Sequence, residues 1–109
     1  PNPKLQCEVV ISGAKVAHQH KMGTYRLEPD RKSSGKPVYR KGLYYLYYMK
    51  TDKGHDINAW DIGPKVGIHS AWLYSVSKAT TPDQIGAGSK WRVAHHGYHD
   101  DYSIRTKCV

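Results

Sequence analysis

The stretch Leu43-Tyr44-Tyr45-Leu46-Tyr47-Tyr48-Met49 constrains this chain more than any other. Side chains along a strand alternate between faces, so Leu43, Tyr45, Tyr47 and Met49 share one side, and Tyr44, Leu46 and Tyr48 share the other. Neither side is polar. Such a strand is either covered on both faces, or it offers one aromatic face to something outside the protein. The chain carries nine Tyr, three Trp and no Phe, so each of these rings has a polar handle. Rings of that kind suit half-wet surfaces that bind flat or amphipathic partners.

The remaining segments read as short strands punctuated by turn residues. Residues 5–12 are rich in Val and Ile and end at Ser12-Gly13. Thr24-Tyr25-Arg26-Leu27 alternates and stops at Pro29-Asp30, and residues 31–36 form a polar loop. Pro37-Val38-Tyr39-Arg40 is short, and Gly42 separates it from the tyrosine-rich strand. Thr51-Asp52-Lys53-Gly54 has hairpin-turn character, and Asn58-Ala59-Trp60-Asp61-Ile62 follows, ending at Gly63-Pro64. Residues 71–77, Lys90-Trp91-Arg92-Val93 and Tyr102-Ser103-Ile104-Arg105 complete the set, with one short helical turn at Pro82-Asp83-Gln84-Ile85. About eight short strands in a chain of 109 residues predict an all-β fold, a compact antiparallel β-sandwich or small barrel. No linker divides the chain, so residues 1–109 read as one domain.

Cys7 and Cys108 are the only cysteines, one near each end. Their simplest use is a disulfide tying the first strand to the last in a secreted, extracellular protein. The opening Pro1-Asn2-Pro3-Lys4, without Met, agrees with a processed secreted chain. No segment has the roughly 20 apolar residues of a membrane-spanning helix, so no membrane insertion is expected. The 17 Lys and Arg against 9 acids leave a net charge of +8, which attracts polyanions. The basic residues are scattered, denser only at Arg31-Lys32, Lys36 and Arg40-Lys41, with no long basic run. That scatter, and the expected disulfide, argue against nucleic acid as partner.

One pattern spans most of the chain. It runs through Ser12-Gly13-Ala14, Gly23-x-Tyr25, Gly35-x-Pro37-Val38-Tyr39-x-Lys41, Leu46-Tyr47-Tyr48, Trp60-x-Ile62-Gly63, Ala71-Trp72-Leu73-Tyr74 and Thr81-Pro82. This order of motifs resembles small secreted lectin-like modules of marine invertebrates, with Ser34-Gly35 where that pattern has Asn-Gly. The resemblance implies a lectin-like secreted module.

Sugar sites pair an aromatic ring, which stacks on the C–H face, with polar groups that orient hydroxyls. Those ingredients gather in two segments read as loops. One holds His55, Asp56 and Asn58 before Trp60, and the other holds Tyr98, His99, Asp100 and Asp101. Trp60, Trp72 and Trp91 are expected in the core and Tyr98 at the surface. The histidine arrangements His18/His20 and His95/His96/His99 lack a helix-borne metal spacing, so no metal and no cofactor is expected. A small ribonuclease would need two of His55, His69, His95, His96 and His99 across a cleft. No nucleophile elbow or phosphate loop is present. The sequence thus reads as a non-enzymatic carbohydrate-binding protein. The alternative is a basic defence or matrix protein that grips anionic polysaccharide or microbial surfaces by charge. A homo-oligomer is a further expectation, with the outer face of the tyrosine strand covered by a second subunit, provided Tyr44 and Tyr48 are not buried within one chain.

Overall fold

Both faces of the tyrosine-rich strand are covered within a single chain. The computed structural model describes residues 7–50, 58–68 and 70–109. Its nine strands are β1 (Val9–Ser12), β2 (Gly23–Ser33), β3 (Lys36–Lys41), β4 (Tyr44–Lys50), β5 (Asn58–Gly63), β6 (Leu73–Val76), β7 (Trp91–Ala94), β8 (Tyr98–Asp101) and β9 (Arg105–Cys108). They form one sheet in the order β8-β7-β6-β5-β4-β3-β2-β1-β9, and every pairing is antiparallel. Eight strands meander in chain order, and only β9 returns, to pair with β1. The two edges, β8 and β9, are consecutive in the chain and joined by residues 102–104 alone. So short a connection requires the sheet to curl until its edges approach, and the result is a half-barrel.

The register places the core. Leu46 lies opposite Ile62 and Tyr48 opposite Trp60, while Leu73 lies opposite both Ile62 and Val93. These side chains point into the curl with Val9, Ile11, Tyr25, Tyr39, Trp91 and Ile104, all buried. Tyr48 meets Trp60 edge to face at 5.3 Å between ring centres, a favoured aromatic geometry. On the other side of β4, Tyr47 is also fully buried. It lies opposite Asp61, and its hydroxyl donates to the Ile68 carbonyl at 2.6 Å, so the segment after β5 covers that outer face.

Connections close the two ends of the curl. Residues 13–22 join β1 to β2 and pack Ala14, Ala17 and Met22 on the core at one end. Residues 77–90 join β6 to β7 at the opposite end, with Ala79 and Ile85 against the core. The expected helical turn is there as a 3-10 turn, Pro82–Gln84, and the Thr106 hydroxyl donates to the Pro82 carbonyl at 2.7 Å. Along the seam between the sheet edges, the Asp101 carboxylate accepts from the backbone N–H of Lys15 (2.8 Å), Val16 (3.1 Å) and Ser103 (2.8 Å) and from the Ser103 hydroxyl. Gly13 belongs to the same seam: at φ +92° its α-carbon sits so near Ser103 that a Cβ would lie 2.2 Å from the Ser103 carbonyl oxygen. Cys7 and Cys108 form the disulfide, where β1 and β9 end their ladder.

Several sequence expectations change. Among the described residues there are nine strands rather than about eight, because 98–101 is β8 instead of loop and 102–104 is the link to β9 instead of strand. Pro29-Asp30 does not end its strand. β2 continues to Ser33 with a register shift between Leu27 and Lys32, where Asp30 takes φ +59°. Residues 31–33 are therefore strand, and the turn tightens to Ser34-Gly35, both at positive φ, the type I′ pattern that matches strand twist. Leu43 sits in the β3–β4 turn and is exposed, not on the face shared by Tyr45, Tyr47 and Met49. Trp60 and Trp91 are core, and Trp72 is half-buried against it. Tyr48 is buried and Tyr44 half-buried inside one chain, which removes the sheet-face argument for a homo-oligomer. The turn expected at 51–54 lies outside the described residues.

Candidate functional site

The ends of five neighbouring strands build a concavity at the end of the half-barrel that residues 77–90 close. The β2–β3 turn supplies Ser34 and Lys36, β4 supplies Tyr48 and Lys50, and β5 begins with Asn58. Lys78 follows β6. Together they line a cleft of about 380 Å³. Backbone bonds set the frame. The Lys50 N–H donates to Ser34 Oγ at 3.2 Å, and the Ser77 N–H donates to the Asn58 carbonyl at 2.8 Å. The Ser33 hydroxyl donates to the Tyr48 carbonyl at 2.7 Å. Lys36 Nζ lies 4.7 Å from the centre of the Tyr48 ring, a cation–π contact that steadies a flexible lysine. Three lysines, one asparagine, one serine and one tyrosine thus surround one concavity, with no carboxylate among its described lining residues. Such a lining offers hydrogen-bond donors to oxyanions and to sugar hydroxyls.

Among the described residues, those expected to bind sugar lie in different parts of the fold. Asn58 lines the cleft, whereas His55 and Asp56 lie outside the described residues. Tyr98, Asp100 and Arg92 share the outer face of β7 and β8. Tyr98 is 45% exposed, its hydroxyl donates to the Ala71 carbonyl at 3.1 Å, and its ring meets Tyr74 edge-on at 5.5 Å. Asp100 pairs with Arg92 at 3.3 Å, and that guanidinium lies 5.9 Å from the Tyr98 ring centre. His99 points to the other side of β8, its ring 6.5 Å from that of His95. Asp101 is buried, and both of its oxygens serve the seam. Burial alone would raise its pKa, but the Ser103 hydroxyl and the amides of Lys15, Ser103 and Val16 outweigh that and hold it below the usual value.

The histidines make a second cluster, at the opposite end of the half-barrel. His18 caps the 3-10 turn Gln19–Lys21 and His20 lies within it. His18 Nδ1 and His20 Nε2 each lie 2.9 Å from Lys21 Nζ, which is also 4.4 Å from the Trp72 ring centre. Lys21 is buried, and burial lowers its pKa. His95, His96 and His99 lie along one hairpin, with the rings of His95 and His96 4.8 Å apart, rather than on opposite walls of a cleft. Among the described residues, no three His, Cys, Asp or Glu side chains converge as metal ligands.

Charge density in the sequence singled out Lys36, and Lys50 stood beside the aromatic strand, but neither signal tied them to Asn58 or Lys78. Only sheet order makes these residues neighbours. Comparison with known proteins finds no family model, curated protein or solved structure that matches this chain. The class is therefore stated from the fold itself: a disulfide-closed, all-antiparallel half-barrel with a lysine-lined cleft at one end.

Proposed function

We propose that this protein is a non-enzymatic, extracellular binder of anionic carbohydrate, recognising sulfate or carboxylate groups of a glycan in the cleft of Lys36, Lys50 and Lys78. The observation that carries this reading is the convergence of three lysines with Asn58 and Ser34 on one concavity. The ammonium groups meet the anionic substituent, while the carboxamide and the hydroxyl address neighbouring ring hydroxyls. The net charge of +8 adds long-range attraction. The disulfide agrees with an oxidising compartment, where such glycans are met.

The test is a glycan array with neutral, sialylated and sulfated ligands, read at low and physiological salt. Binding confined to acidic glycans, weakened by salt and lost in a Lys36→Gln/Lys50→Gln/Lys78→Gln variant, is expected. Salt-resistant binding to neutral sugars, unchanged in that variant, would overturn the cleft reading. The exposed Tyr98 ring beside Asp100 favours that second outcome as a stacking lectin, which Tyr98→Ala would abolish.

A further inference from the structure

Among the described residues, the end of the half-barrel opposite the cleft gathers basic groups without a free counter-charge. Lys21 Nζ lies between His18 Nδ1 and His20 Nε2, and over Trp72 and Tyr44. From β3, Lys41 Nζ lies 3.4 Å from the His20 carbonyl and 5.5 Å from the centre of the Tyr44 ring. From the β7–β8 turn, the His95 imidazole acts on His18. From β2, the Tyr25 hydroxyl donates to the Lys21 carbonyl at 2.7 Å. The carboxylate bonded to this segment, Asp101, is spent on backbone amides and Ser103, and Asp100 is paired with Arg92. Among the described residues, His18, His20, Lys21, Lys41 and His95 thus face one another with no free acid between them.

The hydrogen bonds set the protonation. Ala94 offers His18 Nε2 a carbonyl at 2.6 Å, and a carbonyl only accepts, so Nε2 carries the proton. Nδ1 then has a lone pair for Lys21, and His20 Nε2 does the same. A lysine ammonium only donates, so these two bonds exist only while His18 Nδ1 and His20 Nε2 carry no proton. Protonating them turns two acceptors into donors aimed at an ammonium, and each bond becomes a repulsion. Some other acceptor must then serve Lys21.

We propose that this cluster is a second, acid-dependent oxyanion site, in which a sulfate, phosphate or carboxylate group takes over from the His18 and His20 lone pairs as acceptor for Lys21. His20, which contacts Lys21, and His95 are both exposed. Burial foremost, with Lys21, His20 and His95 and against the raising bond to the Ala94 carbonyl, holds the His18 pKa below its ordinary value, so the change belongs to the acid side of that value. This site is independent of the lysine cleft and lies at the other end of β4 and β5.

The experiment follows the histidine imidazole NMR resonances in the Lys36→Gln/Lys50→Gln/Lys78→Gln background, which silences the cleft. Sodium sulfate and then a sulfated disaccharide are titrated in at about pH 5 and about pH 8, with ionic strength held by chloride. Saturable shifts of His18 and His20 at the acid pH are expected, with affinity at least about tenfold weaker at the alkaline pH. Saturation by both probes assigns the site to the oxyanion group itself, and by the disaccharide alone to a glycan sulfate ester. A His18→Asn/His20→Gln variant keeps a residue that tolerates left-handed backbone at position 18 and should lose the acid enhancement with its fold unchanged. Equal binding at both pH values, shifts matched by chloride, or full acid enhancement in that variant would each overturn the proposal.

Discussion

Two buried tryptophans differ in one hydrogen bond, and that difference is measurable. Trp60 Nε1 donates to the Ala79 carbonyl at 3.0 Å, whereas Trp91 Nε1 has no partner among the described residues. Replacing either by Phe removes similar volume from the core. Only Trp60→Phe also removes a hydrogen bond, to the half-buried Ala79 carbonyl, so it should cost about 1 kcal/mol more than Trp91→Phe by urea denaturation. The tyrosines differ in the same way. Burial raises the pKa of Tyr25, Tyr47 and Tyr48, and pushes Tyr39 up to about 12, because a phenolate cannot be hydrated in the core. Their folded values exceed the unfolded ones, so their contribution is complete below the ordinary tyrosine pKa and is lost as pH rises through the folded values. An alkaline titration followed by phenolate absorbance should ionise the exposed tyrosines first. The buried four should ionise only with loss of the fold; smooth titration of all nine before unfolding would contradict this packing.

At the scale of elements, the half-barrel depends on the seam that holds β8 near β1. Nothing in the strand pairings joins β8 to β9. Asp101 does that work through backbone amides of the 13–22 segment and Ser103. Asp101→Asn removes the charge and turns one acceptor oxygen into a donor, facing N–H groups that need an acceptor. A loss of about 1.5–3 kcal/mol is expected, with earlier hydrogen exchange at Lys15, Val16 and Ser103. The pH dependence has a definite sign. The folded pKa of Asp101 is lowered from 3.8, so its stabilisation is present above that value and disappears as pH falls through the folded pKa. The variant should lose this acid slope, and an unchanged slope would show that another carboxylate carries it. The segment holding Asp101 read as a loop because Tyr98-His99-Asp100-Asp101 has no apolar alternation. It is a strand because β7 offers it a ladder, a tertiary reason that local propensity does not contain.

For the whole molecule, one bond closes almost the entire chain. Cys7 and Cys108 are 101 residues apart, and they staple β9, an edge strand whose ladder runs along β1 alone. Constraining so long a loop contributes about 4–5 kcal/mol on the chain-entropy account. A Cys7→Ser/Cys108→Ser variant should lose stability of that order, with β9 amides exchanging before those of β4 and β5. Near-equal stability of the oxidised and doubly substituted proteins would place the stabilisation in the sheet and not in the staple.

Most strand-forming segments, the core positions of Trp60 and Trp91 and the disulfide were determined by local pattern. Alternation, turn residues and two lone cysteines need no knowledge of distant neighbours. The tertiary structure alone decided the rest. It extended β2 past Pro29, where a register shift absorbs the break, and it made β8 a strand. It committed Asp101 to the seam instead of a surface site, left Asn58 with three distant lysines, and brought His18 and His20 onto one buried ammonium. Apart from His18, His20 and Lys21, which are close in the chain and owe only the burial of the ammonium to the fold, these depend on which strands lie side by side. Strand order follows from the curl and closure of the whole sheet, and no window of sequence carries it.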